Sequence, residues 1–278
     1  MTSPPYWRLR DYAPSGHTQI GLEPTAEAYV TALRRVFAAA RRVLTPRATM
    51  WINLGDSYST NSDGYQCAAP GQARQPTYRP RADVPHKNLV GMPWRVALAL
   101  QDDGWILRSA IVWHKPHTTP TSVRDRLATR YELLFMLVAQ PDYYFDLDPI
   151  RQPYTGDRTL PRRAHYGGTK PNTIRSRWPG TSEQERRGRN PGNVWSIPPE
   201  RSRSGHPAPS PLEIPRRCIA AGCPPGGHVL DPFSGSGTTG IAARELGRRF
   251  TGIDTNPDYH QVAVLRLALR STSGRSAA

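Results

Sequence analysis

The first seven residues, MTSPPYW, place polar acceptors directly beside flat apolar side chains. Ser3 supplies a hydroxyl group, Pro4 and Pro5 form a rigid pair, and Tyr6 supplies an aromatic ring. An enzyme that modifies a base turned out of a nucleic-acid stack needs this combination, because it must hydrogen-bond the base edge and stack on its face. These four residues are therefore candidates for a site that binds an extruded base.

A second group of residues is typical of a cofactor site. The segment LDPFSGSGTTG has glycines at positions 235, 237 and 240, which is G-x-G-x-x-G spacing between a predicted strand and helix. Asp254 ends the next predicted strand, where a carboxylate accepts hydrogen bonds from ribose hydroxyls. This pattern fits a nicotinamide-dependent oxidoreductase or a methyltransferase. Asp231 favours the methyltransferase, because a carboxylate before the turn repels a pyrophosphate and suits the cationic methionine part of S-adenosylmethionine.

The elements that must position these groups alternate along the chain. Apolar residues recur at helical spacing over residues 29–44, with Thr25 as the predicted N-cap, and further helices are predicted near Pro93 and over residues 238–246 and 257–269. Apolar runs predict strands over residues 50–54, 105–113, 132–139, 143–145, 228–231 and 250–254. This order predicts the α/β class, with a doubly wound, mostly parallel sheet.

Charge indicates the partner. The formal net charge is +15, and arginines far outnumber lysines among the 37 basic residues. A GC-rich genome would explain the choice of arginine over lysine but not the surplus over acidic residues, so we expect an anionic polymer as partner. The three cysteines lack disulfide spacing, and no apolar run is long enough to span a membrane. A cytoplasmic protein is expected.

The chain divides by composition into four parts. Residues 1–150 hold the catalytic half, with a long loop at 61–87 that is rich in Pro, Gly, Gln and Arg. Residues 151–205 form a basic segment that we expect to contact DNA, with Arg162, Arg163, Arg175 and Arg177 as candidate phosphate or base contacts. Residues 206–270 hold the cofactor-binding half, and residues 271–278 form a tail.

Three motifs in this order resemble one known family. SPPYW at residues 3–7, HPAPSPLEIPRR at 206–217 and DPFSGSGT at 231–238 are similar to motifs of the amino-methylating DNA methyltransferases, which act on N4 of cytosine or N6 of adenine. A catalytic motif first, a basic middle and cofactor motifs last resemble the permuted β class, of the SPPY type. The resemblance implies the Rossmann-like fold of S-adenosylmethionine-dependent methyltransferases, and duplex DNA as substrate.

The resemblance also implies residue roles. The Ser3 side chain and the Pro4 carbonyl would accept hydrogens of the target amino group, which would aim its nitrogen lone pair at the sulfonium methyl. Tyr6 would stack on the extruded base, and Trp7 would close the pocket against DNA. The implied cofactor-binding residues are Asp231, Pro232, Phe233, Gly235, Gly237, Thr238, Asp254, His206 and Ala208.

The target base is narrowed by two further observations. Methylation at cytosine C5 needs a thiolate from a Pro-Cys dipeptide, but Cys67, Cys218 and Cys223 follow Gln, Arg and Gly. Serine at the first motif position resembles the cytosine-N4 enzymes, whereas adenine-N6 enzymes more often carry Asp or Asn there. Cytosine N4 is therefore preferred and adenine N6 is the alternative. A partner restriction endonuclease is a further expectation.

One departure from the family pattern concerns the strand that leads into the catalytic motif. The sequence has one residue before Thr2, so we expect Ser3 to lie on a fraying terminus and turnover to be weak or absent. A misassigned start codon is the preferred explanation. The alternatives are a truncated DNA-binding remnant, or a motif tied down by packing of Tyr6, Trp7 and Leu9.

Several other side chains have two interpretations. Asn53 and Asp56 follow a predicted strand and either line the cofactor pocket or make turn hydrogen bonds. Trp178 and Trp195 either stack on bases or pack in the core. The histidines of WHKPH, together with Glu132, lack the spacing of a metal site, so no metal is expected.

Overall fold

The computed structural model describes residues 1–12, 19–59, 83–118, 123–153, 188–200 and 210–273. The described helices are α1 (Ala26–Val43), α2 (Met92–Asp102), α3 (Glu213–Gly222), α4 (Thr238–Glu245) and α5 (Pro257–Ser273), with a 3-10 turn at Asp148–Ile150. The described strands are β1 (Thr49–Leu54), β2 (Ile106–His114), β3 (Tyr131–Val138), β4 (Val194–Ser196), β5 (His228–Asp231) and β6 (Arg249–Gly252).

The larger sheet has four strands in the order β1-β3-β2-β4. β3 is antiparallel to both of its neighbours, whereas β4 is parallel to β2. Strands β1, β2 and β4 therefore run in one direction and β3 is reversed. Six consecutive residues of β3, LLFMLV, are buried, as expected for a strand that is covered on both faces.

Helices cover both faces of this sheet. The face of Met50, Ile52 and Leu54 packs on α1 and α2, and the face of Trp51 packs on Ile214 of α3. The smaller sheet pairs β5 with β6 in parallel, and α4 connects them. The α/β class is confirmed, with a mostly parallel sheet in which β3 is the reversed strand.

Helix α1 shows how the sequence determines the local structure. Thr25 has an extended backbone, and its hydroxyl accepts the Ala28 N–H at 3.1 Å, which confirms it as the N-cap. Tyr29, Leu33 and Phe37 recur every four residues and are fully buried against the sheet. Burial of each such side chain contributes about 1.5–3 kcal/mol to the free energy of unfolding, before entropy is counted.

Two sequence predictions about strands are wrong. Residues 143–145 form no ladder, since Tyr144 makes a single backbone bond to the Arg47 carbonyl in a neighbouring loop. Conversely, β4 lies inside the basic segment, where the sequence predicts no strand. Its Trp195 is buried and stacks on Trp51 with ring centroids 6.5 Å apart, so the interpretation of Trp195 as a core residue is confirmed. Trp178 lies outside the described residues.

The first two residues lie between the two sheets. Thr2 forms a parallel bridge with Ile52, in which its N–H donates to the Trp51 carbonyl at 2.9 Å and its carbonyl accepts the Asn53 N–H at 3.0 Å. The Met1 ammonium donates to the Leu230 carbonyl of β5 at 3.4 Å. The expectation that Ser3 frays is therefore wrong, because the residue before it is held by backbone pairs.

A cavity of about 810 Å³ lies between β1 and β5. Its lining includes the edges of both strands at residues 49–51 and 228–230, together with Val43 of α1 and Ile219 of α3. No ladder joins β1 to β5 in the part of the chain that the structure describes. The sheets are instead connected through the first residues and through α3, which contacts both β1 and α4.

None of the described helices is both long enough and apolar enough to cross a membrane.

Candidate active site

The catalytic motif is fixed by backbone contacts on both sides. Before it, Thr2 pairs with β1. After it, the Tyr6 carbonyl accepts the Leu9 N–H at 3.2 Å in a turn, and Arg8 donates its N–H to the Gly21 carbonyl at 2.8 Å with φ of 65°. In the middle, the Tyr29 hydroxyl donates to the Pro5 carbonyl at 2.8 Å. Residues 3–6 are therefore held in one conformation, although they form neither a helix nor a strand.

These contacts leave three acceptors of the motif unused. The carbonyls of Thr2, Pro5 and Tyr6 all accept hydrogen bonds from the protein. The Ser3 hydroxyl, the Ser3 carbonyl and the Pro4 carbonyl have no hydrogen-bond partner among the described residues. Two adjacent acceptors on a fixed backbone can bind the two hydrogens of one amino group.

Tyr6 is held at its hydroxyl end. The hydroxyl donates to Glu132 Oε2 at 2.5 Å and accepts from Asn53 Nδ2 at 2.6 Å. Burial, followed by the negative charge of Glu132, raises the pKa of Tyr6 well above its usual value. The ring also lies against Gly55, where a Cβ atom would be 2.6 Å from Tyr6 Cε2. The phenol is therefore neutral at physiological pH.

The residue directly before the catalytic motif contacts the cofactor turn. The Thr2 hydroxyl donates to Asp231 Oδ1 at 2.5 Å, and the Phe233 N–H donates to the same oxygen at 3.1 Å. Burial raises the pKa of Asp231, and the Met1 ammonium and the Thr2 hydroxyl oppose this shift. Phe233 packs against the core cluster that contains α1. The two motifs that the sequence singled out are thus brought together.

Asp254 follows β6 and borders the turn. Its Oδ2 accepts the Gly235 N–H and its Oδ1 accepts the Asn256 N–H, both at 2.8 Å. A carboxylate has about four acceptor positions, so Asp254 keeps capacity for ribose hydroxyls. Gly235 and Gly237 have φ of 47° and 79°, which favour glycine in this tight turn. The donor and acceptor set fits a cofactor with a ribose and a cationic portion.

Two predicted cofactor residues lie at the ends of the turn. Pro232 borders the cavity between the sheets, and Thr238 is buried as the first residue of α4. His206 and Ala208 lie outside the described residues, as do the candidate DNA contacts Arg162, Arg163, Arg175 and Arg177.

Sequence reasoning missed Arg266 of α5. Its Nη1 donates to the Ser236 carbonyl at 2.6 Å and to the Ser236 hydroxyl at 2.7 Å, so the guanidinium holds the cofactor turn from the far helix. A charge-assisted bond of this kind is stronger than a neutral one. No local signal marks this arginine, because its contact spans thirty residues of sequence.

The predicted DNA contact by Trp7 is wrong. The ring is 2% exposed and belongs to the core cluster of α1, and its Nε1 donates to the Glu23 carbonyl at 2.9 Å. Arg8 lies over the ring, 5.3 Å from its centroid. A side chain packed in this way has no face available for a base.

The structure gives different outcomes for Asn53 and Asp56, the two residues with a pocket and a turn interpretation. Asp56 Oδ1 accepts the Met92 N–H at the start of α2, at 3.0 Å, and the Ser57 N–H at 2.9 Å. Its turn interpretation is thereby supported. Asn53 is buried and bonds Tyr6 and Glu132, a contact with the catalytic motif that neither interpretation included. No cluster of metal-ligating side chains occurs in the described ranges.

The described cysteines lack the reactivity of a nucleophile. Burial raises the pKa of the Cys218 thiol to about 12, and burial also raises the pKa of Cys223. Both thiols are therefore protonated near neutral pH. Cys67 lies outside the described residues. Covalent attack by Cys218 or Cys223 on a base is therefore disfavoured.

A glycine turn with strand-end carboxylates, bonded to the residue before an SPPY motif, is typical of an S-adenosylmethionine-dependent methyltransferase. Residues 1–265 match the family model N6_N4_Mtase, described as DNA methylase. The chain belongs to this family of DNA methyltransferases, and S-adenosyl-L-methionine is its cofactor. The nicotinamide-dependent oxidoreductase alternative is thereby excluded.

Individual relatives agree with the family assignment. The chain is 39% identical to the Type II methyltransferase M.Cfr9I of Citrobacter freundii over 280 aligned residues, covering 98% of this chain and 82% of the relative. TTHA0409 of Thermus thermophilus, solved with S-adenosyl-L-methionine, has a TM-score of 0.57 at 25% identity and matches 96% of this chain and 83% of its own. The cytosine-N4-specific PvuII DNA methyltransferase shares the fold, with a TM-score of 0.61 at 17% identity over 96% of this chain and 77% of its own.

Proposed function

We propose that this chain methylates the exocyclic N4 of cytosine in duplex DNA. The observation that carries the proposal is that two adjacent acceptors, the Ser3 hydroxyl and the Pro4 carbonyl, are unused on a motif that its neighbouring carbonyls hold in place. The exocyclic amine of cytosine has two hydrogens to offer to them. Ser3, the first residue of the motif, resembles the serine found there in the cytosine-N4 enzymes. This resemblance supports cytosine over adenine as the target base.

The protein's part in the reaction is to orient the amine. Its lone pair is delocalised into the base ring, so the nitrogen is a poor nucleophile. Acceptance of its hydrogens by Ser3 and Pro4 shifts the nitrogen toward tetrahedral geometry and frees the lone pair. The bound cofactor supplies an electrophilic methyl group on a sulfonium. Fixed acceptors of this kind accelerate a reaction by positioning and electrostatic preorganisation, without a covalent enzyme intermediate.

Other residues bind the two reactants. Asp254 and the glycine turn would hold the ribose side of the cofactor, and Asp231 would face its cationic portion. Tyr6 would stack on the base after it leaves the duplex. Its hydroxyl is already bonded to Glu132 and Asn53, so the ring is ordered before DNA arrives.

The basic segment is the proposed DNA contact. Between residues 151 and 217, fourteen basic residues stand against five acidic ones, a surplus of nine. Arg162, Arg163, Arg175 and Arg177 would bind phosphates or guanine edges. Because the Citrobacter relative is named a Type II methyltransferase, we also propose a partner endonuclease and a site of action in the cytoplasm.

The test is to incubate the purified chain with mixed-sequence duplex DNA and methyl-labelled S-adenosylmethionine, and to identify the nucleoside by mass spectrometry. N4-methylcytosine is the expected product. N6-methyladenine would overturn the choice of cytosine and leave the chemistry intact, whereas no labelled nucleoside would overturn the proposal.

A matched pair of variants tests the role of Ser3. Ser3→Ala removes one of the two acceptors and should lower the rate about 10- to 100-fold, because one preorganised hydrogen bond is lost. Ser109→Ala, which removes a hydroxyl from β2, should leave the rate unchanged. Equal rates for both variants would contradict the assignment of Ser3.

A further inference from the structure

Three strands bring a polar cluster to the hydroxyl of Tyr6. Asn53 lies near the end of β1, Glu132 near the start of β3, and Lys115 directly after β2. Glu132 is paired with Trp113 in the ladder between β2 and β3, which places Lys115 close to it. The Lys115 Nζ bonds Glu132 Oε1, and it lies 4.3 Å from the Trp113 ring centroid.

The chemistry of a carboxylate determines the direction of every bond in this cluster. Glu132 accepts only, so the Tyr6 hydroxyl must donate to its Oε2 at 2.5 Å. The hydroxyl oxygen can then accept, and Asn53 Nδ2 donates to it at 2.6 Å and to Glu132 Oε2 at 2.7 Å. The reversed orientation of the Asn53 amide is disfavoured, because its oxygen would then face the Glu132 carboxylate, which only accepts.

Charge within the cluster is balanced. The side chains of Lys115 and Glu132 are 21% and 15% exposed, so the pair is largely shielded from solvent. Removal of one partner from such a pair leaves the other charge uncompensated. Glu132 is thus a fixed anion rather than a mobile surface acid, and it can hold the phenol in a constant place.

We infer that Glu132 is a positioning residue that holds Tyr6 beside the free acceptors of Ser3 and Pro4. Lys115 and Asn53 fix its carboxylate. This inference rests on the proposed role of Tyr6 in stacking on the target base. Glu132 acts through the phenol and does not touch the reacting atoms.

The effects of Tyr6→Phe and Glu132→Gln on kcat should not be additive. Tyr6→Phe removes the hydroxyl, and Glu132→Gln removes the charge that holds it. Each change should lower kcat about 10- to 100-fold, because a small displacement of a positioning group is costly. The double variant should be no slower than the slower single variant, since both changes break the same contact. The KM for S-adenosylmethionine should stay within about twofold of wild type.

A matched control and a second variant keep the test decisive. Asp103→Asn neutralises another acid that is paired with an arginine, Arg34, outside the site, and it should leave kcat unchanged. Lys115→Met should lower kcat in the wild-type background and have no further effect in Tyr6→Phe. Cofactor binding and thermal unfolding of each variant confirm that it is folded.

The outcomes separate this inference from the proposed function. Multiplicative losses in kcat, or a loss confined to the KM for S-adenosylmethionine, would overturn the positioning role while methylation by wild type would still support the function. If the wild-type chain methylates no DNA, the proposed function fails first. Stability measurements then test whether Tyr6 and Glu132 interact at all. If the effects of Tyr6→Phe and Glu132→Gln on the free energy of unfolding are simply additive, the proposed contact is overturned.

Discussion

The Thr2 hydroxyl donates to Asp231 Oδ1 at 2.5 Å, and this bond joins the catalytic motif to the cofactor turn. Asp231 is 3% exposed and its oxygen also holds the Phe233 N–H. This buried hydroxyl group therefore fixes the residue before the proposed catalytic motif against the proposed cofactor turn. Sheet hydrogen bonds hold the other side of Thr2.

Thr2→Val should uncouple these two motifs. The change keeps the shape and the backbone bridge but leaves a buried carboxylate without one of its donors, at a cost of about 1–3 kcal/mol in the free energy of unfolding. Thr2→Ser retains the hydroxyl and should lie close to wild type. Denaturant unfolding and cofactor titration of both variants provide the measurement. Equal stability of the valine and serine variants would show that the bond contributes nothing.

Gly55→Ala should displace the Tyr6 ring. The added methyl group would lie 2.6 Å from Cε2 and 2.8 Å from Cδ2 of that ring, well inside van der Waals contact. We expect a loss of about 1–3 kcal/mol in the free energy of unfolding, together with a fall in kcat. In a Tyr6→Leu background the same glycine change should cost much less, because the clashing ring atoms are gone. If Gly55→Ala lowers the free energy of unfolding equally in the Tyr6→Leu background, the clash with the Tyr6 ring does not cause the loss.

Arg266→Met should loosen the cofactor turn while the rest of the fold stays intact. The guanidinium supplies two bonds to Ser236, and their loss should weaken S-adenosylmethionine binding on the order of tenfold, or about 1.4 kcal/mol. Arg244→Met is the matched control, since Arg244 also joins α4 to α5, through the Leu267 carbonyl, without touching the turn. Isothermal titration would measure the S-adenosylmethionine affinity of both variants. Equal affinities would contradict the role of Arg266 in holding the cofactor turn.

Alkaline pH should destabilise the protein through its buried phenols. Burial raises the pKa of Tyr29, whose hydroxyl holds the Pro5 carbonyl. The unfolded chain loses this proton near its ordinary pKa of about 10, whereas the folded chain keeps it. The contribution of the protonated Tyr29 phenol to the free energy of unfolding is thus fully present below about pH 10. Above that pH it is lost by up to about 1.4 kcal/mol per pH unit.

Tyr29→Phe provides the check on this pH dependence. Unfolding free energies of wild type and variant should be compared at intervals from about pH 8 to pH 11, on either side of the ordinary phenol pKa. The variant is expected to be less stable at the lower end and to lose less stability toward the upper end. Parallel curves over the whole range would show that the phenol of Tyr29 does not cause the loss.

Local sequence signals are sufficient for most elements and for the cofactor turn. The position of Thr25 before an apolar repeat identifies it as a cap, and the glycine spacing places the turn between β5 and α4. Both signals depend on residues within one or two helical turns of each other. The strand of β3 is equally clear, because an uninterrupted apolar run indicates burial on both faces.

Contacts between distant strands cannot be read from spacing. In the sequence, Glu132 follows two histidines and invites comparison with a metal ligand, yet the register of β2 with β3 brings it to Lys115 instead. The expected fraying of Ser3 is wrong for the same reason. A terminus frays when it lacks partners, and the partners of Thr2 belong to β1 and to Asp231.

The bond between Thr2 and Asp231 can form only late in translation. The two residues are 229 positions apart, and at a synthesis rate of roughly 5–20 residues per second the first is made about 10 to 45 s before the second. Throughout that time the SPPY motif has no cofactor turn to meet. The first half of the chain must therefore fold without this contact, which forms only after the cofactor half has been synthesised.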